Sequence, residues 1–360
     1  MPPMGNAPLP PLIALHLFYT TCAGIGAVAL VVAVGLFAWR RTRPAPAPAP
    51  SPPELPAPAE WLVRGLGALW LLDGLLQAQP LMVTRFVGGF LAPLVQGQPP
   101  ALATLMRAGI ALWALNPVLA NVGATWLQIG IGLALLLGGQ SRWRRVGLWV
   151  SVGWSAVVWI WGEGLGGVLV GGSWLGGSPG SVLLYGLGAL LALQPAVFWD
   201  NGRAVRILRG GLVAFWTLAA GLQAWPPNGF WSGSGLSELP QAMAAMPQPA
   251  WLAAPLHAWA ALLAAHPLGW NAALVAVFAG LAAAWLWRPA DRRVWAATVL
   301  VTALTWYFGQ DFGVLGGMGT DPNTGAPLLV LLATYGVAVW GWQPGRVVWT
   351  RVGWRPSRSG

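Results

Sequence analysis

The chain has 360 residues, of which 56% are hydrophobic and only 8% charged, where a soluble globular chain carries roughly a quarter charged residues. That balance excludes an ordinary water-soluble domain and points to a helical membrane protein in a lipid bilayer. The net charge of +10 and pI near 11.4 do not make a nucleic-acid surface: every basic residue is Arg, and the arginines fall in short clusters between apolar runs, as topology signals do.

Taken in order, Met1 to Pro11 is short and Pro-rich, and Leu12 to Trp39 is an apolar run closed by Arg40-Arg41-Thr42-Arg43. The charge follows the run instead of preceding it, so residues 1–43 read as an extracytoplasmic tail and a retained transmembrane helix, not a cleaved signal. Residues 44–60 form a Pro/Ala-rich cytoplasmic linker with no means of building a core. Four apolar runs follow in 61–209: Gly65–Val83, Val118–Gly138, Val146–Trp161 and Ser181–Phe198. Four more occupy 210–345: Gly210–Trp225, Leu268–Trp287, Val294–Phe308 and Ala326–Trp342. Residues 346–360 are a basic cytoplasmic tail. Runs of about 17 to 22 apolar residues have the length to cross about 30 Å of hydrocarbon.

The two blocks match in their landmarks. Leu76-Gln77-Ala78 answers Leu222-Gln223-Ala224, Asn116-Pro117 with Asn121 answers His266-Pro267 with Asn271, Trp159 answers Trp306, and Pro179 answers Pro327. The expected fold is all-α and polytopic. It has about nine transmembrane helices: one N-terminal helix plus two parallel four-helix repeats. Placing the arginine clusters inside puts the N-terminus outside and the C-terminus in the cytoplasm of a bacterial inner membrane. The long segments Phe86–Leu115 and Leu236–Ala265 then read as amphipathic helices in the outer interface.

The candidate pocket residues are the polar groups that this apolar setting makes costly. Asp73 lies near the middle of a span, where an ionisable group faces a partner or a cavity, and Gln77 is one turn away on the same face. Glu163 sits in Gly162-Glu163-Gly164-Leu165-Gly166-Gly167, echoed by Gln310 and Asp311 in Gly309-Gln310-Asp311-Phe312-Gly313. Arg107 and His257 answer one another at the outer surface, as Asn121 and Asn271 do at the helix starts. Asp321-Pro322-Asn323-Thr324-Gly325 reads as a turn. The lone Cys22 and the scattered His16, His257 and His266 lack the spacing of a metal or haem site.

Each block, an apolar helix, an amphipathic outer segment and three more helices, resembles the DoxX-like four-helix membrane domains, and the Leu75-Leu76-Gln77 to Pro80 region shares in the likeness. That resemblance implies a membrane subunit of a larger, quinone-linked redox assembly, with membrane-protein partners or a homo-oligomer and quinone as the cofactor. The Glu163 motif is similar to that of a bacterial membrane family carrying Gly-Glu-Gly-Leu/Phe-Gly-Gly, which brings no catalytic residue with it. The alternative function is a small-solute or ion transporter that uses the intramembrane carboxyls of Asp73 and Glu163.

Overall fold

The computed structural model describes residues 9–42, 55–139, 141–232, 234–314, 319 and 321–341. Most of the expected linker, most of the N-terminal tail and the basic tail 346–360 lie outside the described residues. Among those described there are helices and no strand.

The helices are α1 (Pro11–Thr42), α2 (Ala57–Gln77), α3 (Pro80–Arg85), α4 (Pro100–Ala114), α5 (Pro117–Leu137), α6 (Arg142–Val157), α7 (Ser181–Ala192), α8 (Ala196–Asp200), α9 (Arg203–Ala224), α10 (Gly235–Ala244), α11 (Ala250–Ala265), α12 (Pro267–Trp287), α13 (Arg292–Gln310) and α14 (Gly325–Trp340). Proline sets several of these bounds. It starts α5 and α12 at N1, where its missing N–H is not needed, and Asn116 caps α5 by accepting from Leu119 N. Pro80 breaks the first expected run: α2 ends at Gln77, and the chain turns by 63° into the next helical stretch. Likewise Pro195 splits Ser181–Phe198 into α7 and α8. The linker expected at 44–60 gives its last turn to α2, and α9 runs unbroken across the block boundary expected at 209/210.

Four helices are long and apolar enough to cross a membrane: Pro11–Trp39, Pro117–Leu137, Arg203–Ala224 and Pro267–Trp287. The bent α2–α3 pair makes a fifth. Length and hydropathy therefore support a membrane protein with four or five spans, short of nine. Large apolar side chains stand exposed on the outside, among them Leu12, Val31, Leu112, Leu137 and Trp287. Such a surface suits lipid contact, since soluble monomers rarely expose wide apolar patches. Most of α1 stands exposed. Its first turns hold on through Ala14 and Phe18, which pack with Val83, Val118 and Val122.

Inside, α2 lies along α5 and α9 along α12, while α14 crosses α2 and joins the two sets. Tryptophan, whose amphipathic ring suits a membrane interface, also fills the centre: Trp70, Trp174, Trp216 and Trp285 are fully buried. Trp70 Nε1 donates to Ser151 Oγ at 2.7 Å and Trp285 Nε1 to Thr298 Oγ1 at 2.9 Å. The α2–α5 contact depends on small residues. A Cβ on Gly74 would lie 2.6 Å from Ile129 Cγ1 and 2.9 Å from its backbone N, and one on Gly132 would lie 2.8 Å from Leu71 N. Close backbone approach of this kind is how helices associate where lipid removes the hydrophobic drive. Gly130, on the same helix, meets nothing within 4 Å. Gly74→Val and Gly132→Val should each cost about 1–3 kcal/mol, read as a lower melting temperature in detergent. Gly130→Val should melt with the parent.

Candidate functional site

The site is built where α6 ends. The helix widens into a π-turn, Val158–Gly162, and stops at Glu163. The next four residues, Gly164, Leu165, Gly166 and Gly167, all adopt left-handed backbone, with φ of 56°, 58°, 64° and 70°. Left-handed backbone costs an L-residue roughly 1–2 kcal/mol, so glycine takes three of the four positions. This turn throws the chain into a loop that returns to start α7 at Ser181. Both sides of the molecule clasp the loop: Gln98 Nε2 donates to Gly164 O at 3.3 Å, and Gln310 Nε2 donates to Trp174 O at 2.8 Å. Thr324 Oγ1 also donates to Gly177 O.

Glu163 joins the two ends of the loop. Its Oε1 accepts from Ser181 Oγ at 2.6 Å, Ser181 N at 3.0 Å and Val182 N at 3.3 Å. These are first-turn donors of α7, which have no partner within the helix. The other oxygen, Oε2, is shut off from solvent and has no hydrogen-bond partner among the described residues. Gly180 makes room for it: a Cβ there would fall 2.1 Å from Oε2, and its φ is +105°.

Beside this carboxyl lies a cavity of about 390 Å³. Glycine backbone forms much of its wall, with Glu163, Asp321, Ser173 and Ser178 as polar groups and Phe230 and Leu239 as apolar ones. Among the described residues no Arg or His lines it. Burial pushes the Glu163 carboxyl up, to about 8, and the nearby Asp321 charge adds to the rise, while Ser181 and Val182 oppose it by donating hydrogen bonds. Ser181 and Tyr185 share one face of α7, a turn apart. The Tyr185 hydroxyl donates to Asp73 Oδ1 at 3.3 Å, and both residues are buried. Polar groups thus run from the cavity along α7 to Asp73 in α2.

The other expected residues divide. Gln77 turns away from Asp73: its amide donates to Asn121, whose own amide donates back to Gln77 O at 3.1 Å. Gln223 and Asn271 repeat the exchange, at 2.7 and 3.4 Å. Gln310 repeats the role of Glu163, its Oε1 accepting from Gly325 N at the start of α14 at 3.2 Å. Asp311 is buried in left-handed backbone beyond α13 and does not line the cavity. Burial holds its carboxyl above the usual range, partly offset by the neighbouring Gln248 amide. Arg107 on α4 and His257 on α11 are exposed and stand apart from the cavity. Among the described residues no three His, Cys, Asp or Glu side chains gather as a metal site.

Ser181, Tyr185 and Asp321 were not foreseen as site residues. Asp321 makes the expected turn, accepting from Asn323 N at 2.6 Å, and lines the cavity as well. The signal for it is an X-Pro step: Trp159 Nε1 donates to Pro179 O at 2.8 Å and Trp306 Nε1 to Pro322 O at 2.7 Å. The residue before each accepting proline, Ser178 or Asp321, lines the cavity. No protein-family model, curated protein or solved structure matches this chain.

The raised Glu163 value carries a sign. The folded state holds this proton more tightly than the unfolded chain, so stability falls as pH rises from about 4.5 to about 8. Melting of the parent and of Glu163→Gln across that range should show the extra decline in the parent alone.

Proposed function

We propose that this chain is a multi-pass membrane protein that takes a small cationic solute at its extracytoplasmic face, with Glu163 as the binding charge and Asp73 as a second acidic station for transport. The observation that carries this is the difference between Glu163 and Gln310. Both accept from the N-terminus of the helix that follows, so a neutral amide suffices for capping. The acid at Glu163 is therefore surplus to the structural role, and it stands at a cavity with a second carboxyl and, among the described residues, no basic side chain. A cavity near 400 Å³ suits a small organic molecule. Irregular backbone at such a place is tolerated where it lines a cavity.

The topology proposed with it has nine spans: α1, then two parallel four-helix units. The matched glutamine–asparagine pairs, the matched Trp-to-Pro hydrogen bonds and the matched caps of α7 and α14 support the repeat. α6 with its π-turn, Arg142–Gly162, is about 30 Å long, which suits a span. It carries the arginines at one end and the glycine loop at the other. Arginine placement orients the loops outward in a bacterial inner membrane. Membership of a larger quinone-linked assembly, the other function considered, retains only the layout that motivated it.

Two measurements test this reading. In a Cys22→Ser background, cysteines at the exposed positions Val170 and Glu238 should react with an impermeant thiol reagent on intact cells, and one at Asn201 only after the cells are opened; the reverse pattern contradicts the topology. In detergent, ethylammonium or tetramethylammonium chloride should raise the melting temperature of the parent above that in sodium chloride of equal ionic strength. Glu163→Gln should melt within about 2 °C of the parent and show no such rise. A parent that no ammonium ion stabilises, or a variant stabilised equally, contradicts the proposal.

A further inference from the structure

At the far end of α6 from the glycine loop lies a second cavity, of about 710 Å³. Its polar wall is Arg142, Arg144 and Arg145 in the first turn of α6 with Ser141 and Gln194, and Leu55, Leu148 and Pro195 give it an apolar side. Arg144 Nη1 and Nη2 donate to Glu60 at 2.6 and 3.2 Å, and Glu60 also accepts from Arg64 Nε at 2.8 Å. One carboxylate is thus shared by two arginines. Among the described residues Arg142 and Arg145 have no ion pair, and Arg142 lies over the Trp143 ring. Arg144 is only 8% exposed in its side chain, and its Nε–H is buried without an acceptor.

Two features separate this cluster from a plain topology signal. The first turn of a helix is the positive end of its dipole, where cations are disfavoured unless an anion offsets them. Moreover, the guanidinium groups surround a cavity with an apolar side, and one of them is enclosed with a donor to spare. We propose that this cavity binds a phosphate group, that of an anionic lipid headgroup held by Arg142 and Arg145 at the mouth and Arg144 within. Guanidinium forks match phosphate oxygens in geometry, and Leu55 and Leu148 offer contact to the glycerol and upper acyl carbons. Basic clefts between membrane helices on the cytoplasmic side bind lipid headgroups in this way. A soluble phosphate would use the same donors without the apolar side.

The test uses the full chain with Arg142→Gln and Arg145→Gln together, since both residues are exposed and leave the Arg144–Glu60 pair intact. Arg288→Gln with Arg293→Gln, also exposed and remote from the cavity lining, is the control. Protein taken from vesicles of equal phosphatidylglycerol and phosphatidylcholine is weighed by native mass spectrometry. The parent and the control should retain phosphatidylglycerol over phosphatidylcholine by about tenfold or more, and the Arg142/Arg145 variant should lose that preference. Separately, inorganic phosphate is titrated during thermal melting. Stabilisation of the parent by millimolar phosphate, absent in the Arg142/Arg145 variant, keeps the phosphate site and assigns it to a soluble ligand. The proposal is overturned if the parent shows neither effect, if the Arg142/Arg145 variant keeps what the parent shows, or if the control loses it equally.

Discussion

Every backbone N–H placed among apolar groups must find an acceptor, because no water is there to supply one. Where a helix starts inside the protein, this falls on its first four N–H groups. α7 and α14 both start that way, directly after irregular backbone. Each is met by a side chain from the end of the preceding long helix, Glu163 for α7 and Gln310 for α14. Much else follows from these two contacts. The loop between Glu163 and Ser181 is closed by the first, and the amide of Gln310 reaches across to the same loop at Trp174 O.

Closing the loop leaves one oxygen over. A carboxylate has two acceptor oxygens, and Oε1 alone takes Ser181 N, Val182 N and the Ser181 hydroxyl. Oε2 is left against the bare α-carbon of Gly180, beside a space the chain does not fill. In Gln310 the second atom is an amide nitrogen, which finds a carbonyl and leaves nothing unsatisfied. The two helices are thus capped alike, but only one cap is ionisable, and that carboxyl is where the glycine-lined cavity lies. The Ser181–Tyr185 face of α7 then leads inward to Asp73, so the carboxyls are linked through one helix face instead of standing as separate buried charges.

Much of this could be read from the residues alone. Apolar length marked α1, α5, α9 and α12, and the glycine run around Glu163 marked the loop. The Gln-Asn pairs were visible as recurring landmarks, though not as partners. Where the sequence misled, local rules were overruled by contacts between helices. Gln77 is one turn from Asp73, but Asn121 on α5 offers it both a donor and an acceptor, so the amide leaves its own helix. Pro80 and Pro195 broke runs that hydropathy counted as continuous. Pro327 stood at nearly the offset expected from Pro179, but the carbonyl that receives Trp306 belongs to Pro322, and attention to Pro327 hid Asp321. Tyr185 and Ser181 carried no signal at all, since a hydroxyl in an apolar helix shows its use only when the facing helix is known.

The central proposal is that Glu163, with its Oε2 left unpaired, takes a cationic solute from the cavity beside it. Reaction with a hydrophobic carbodiimide tests it most directly, because that reagent attacks protonated carboxyls in apolar surroundings, and peptide mass mapping locates the adduct. The account predicts that Glu163 is modified at neutral pH, where burial keeps a share of it protonated, and that an ammonium ion bound in the cavity slows the modification. A Glu163 that stays unmodified in the folded protein, or is modified at the same rate whatever ammonium ion is present, would contradict it.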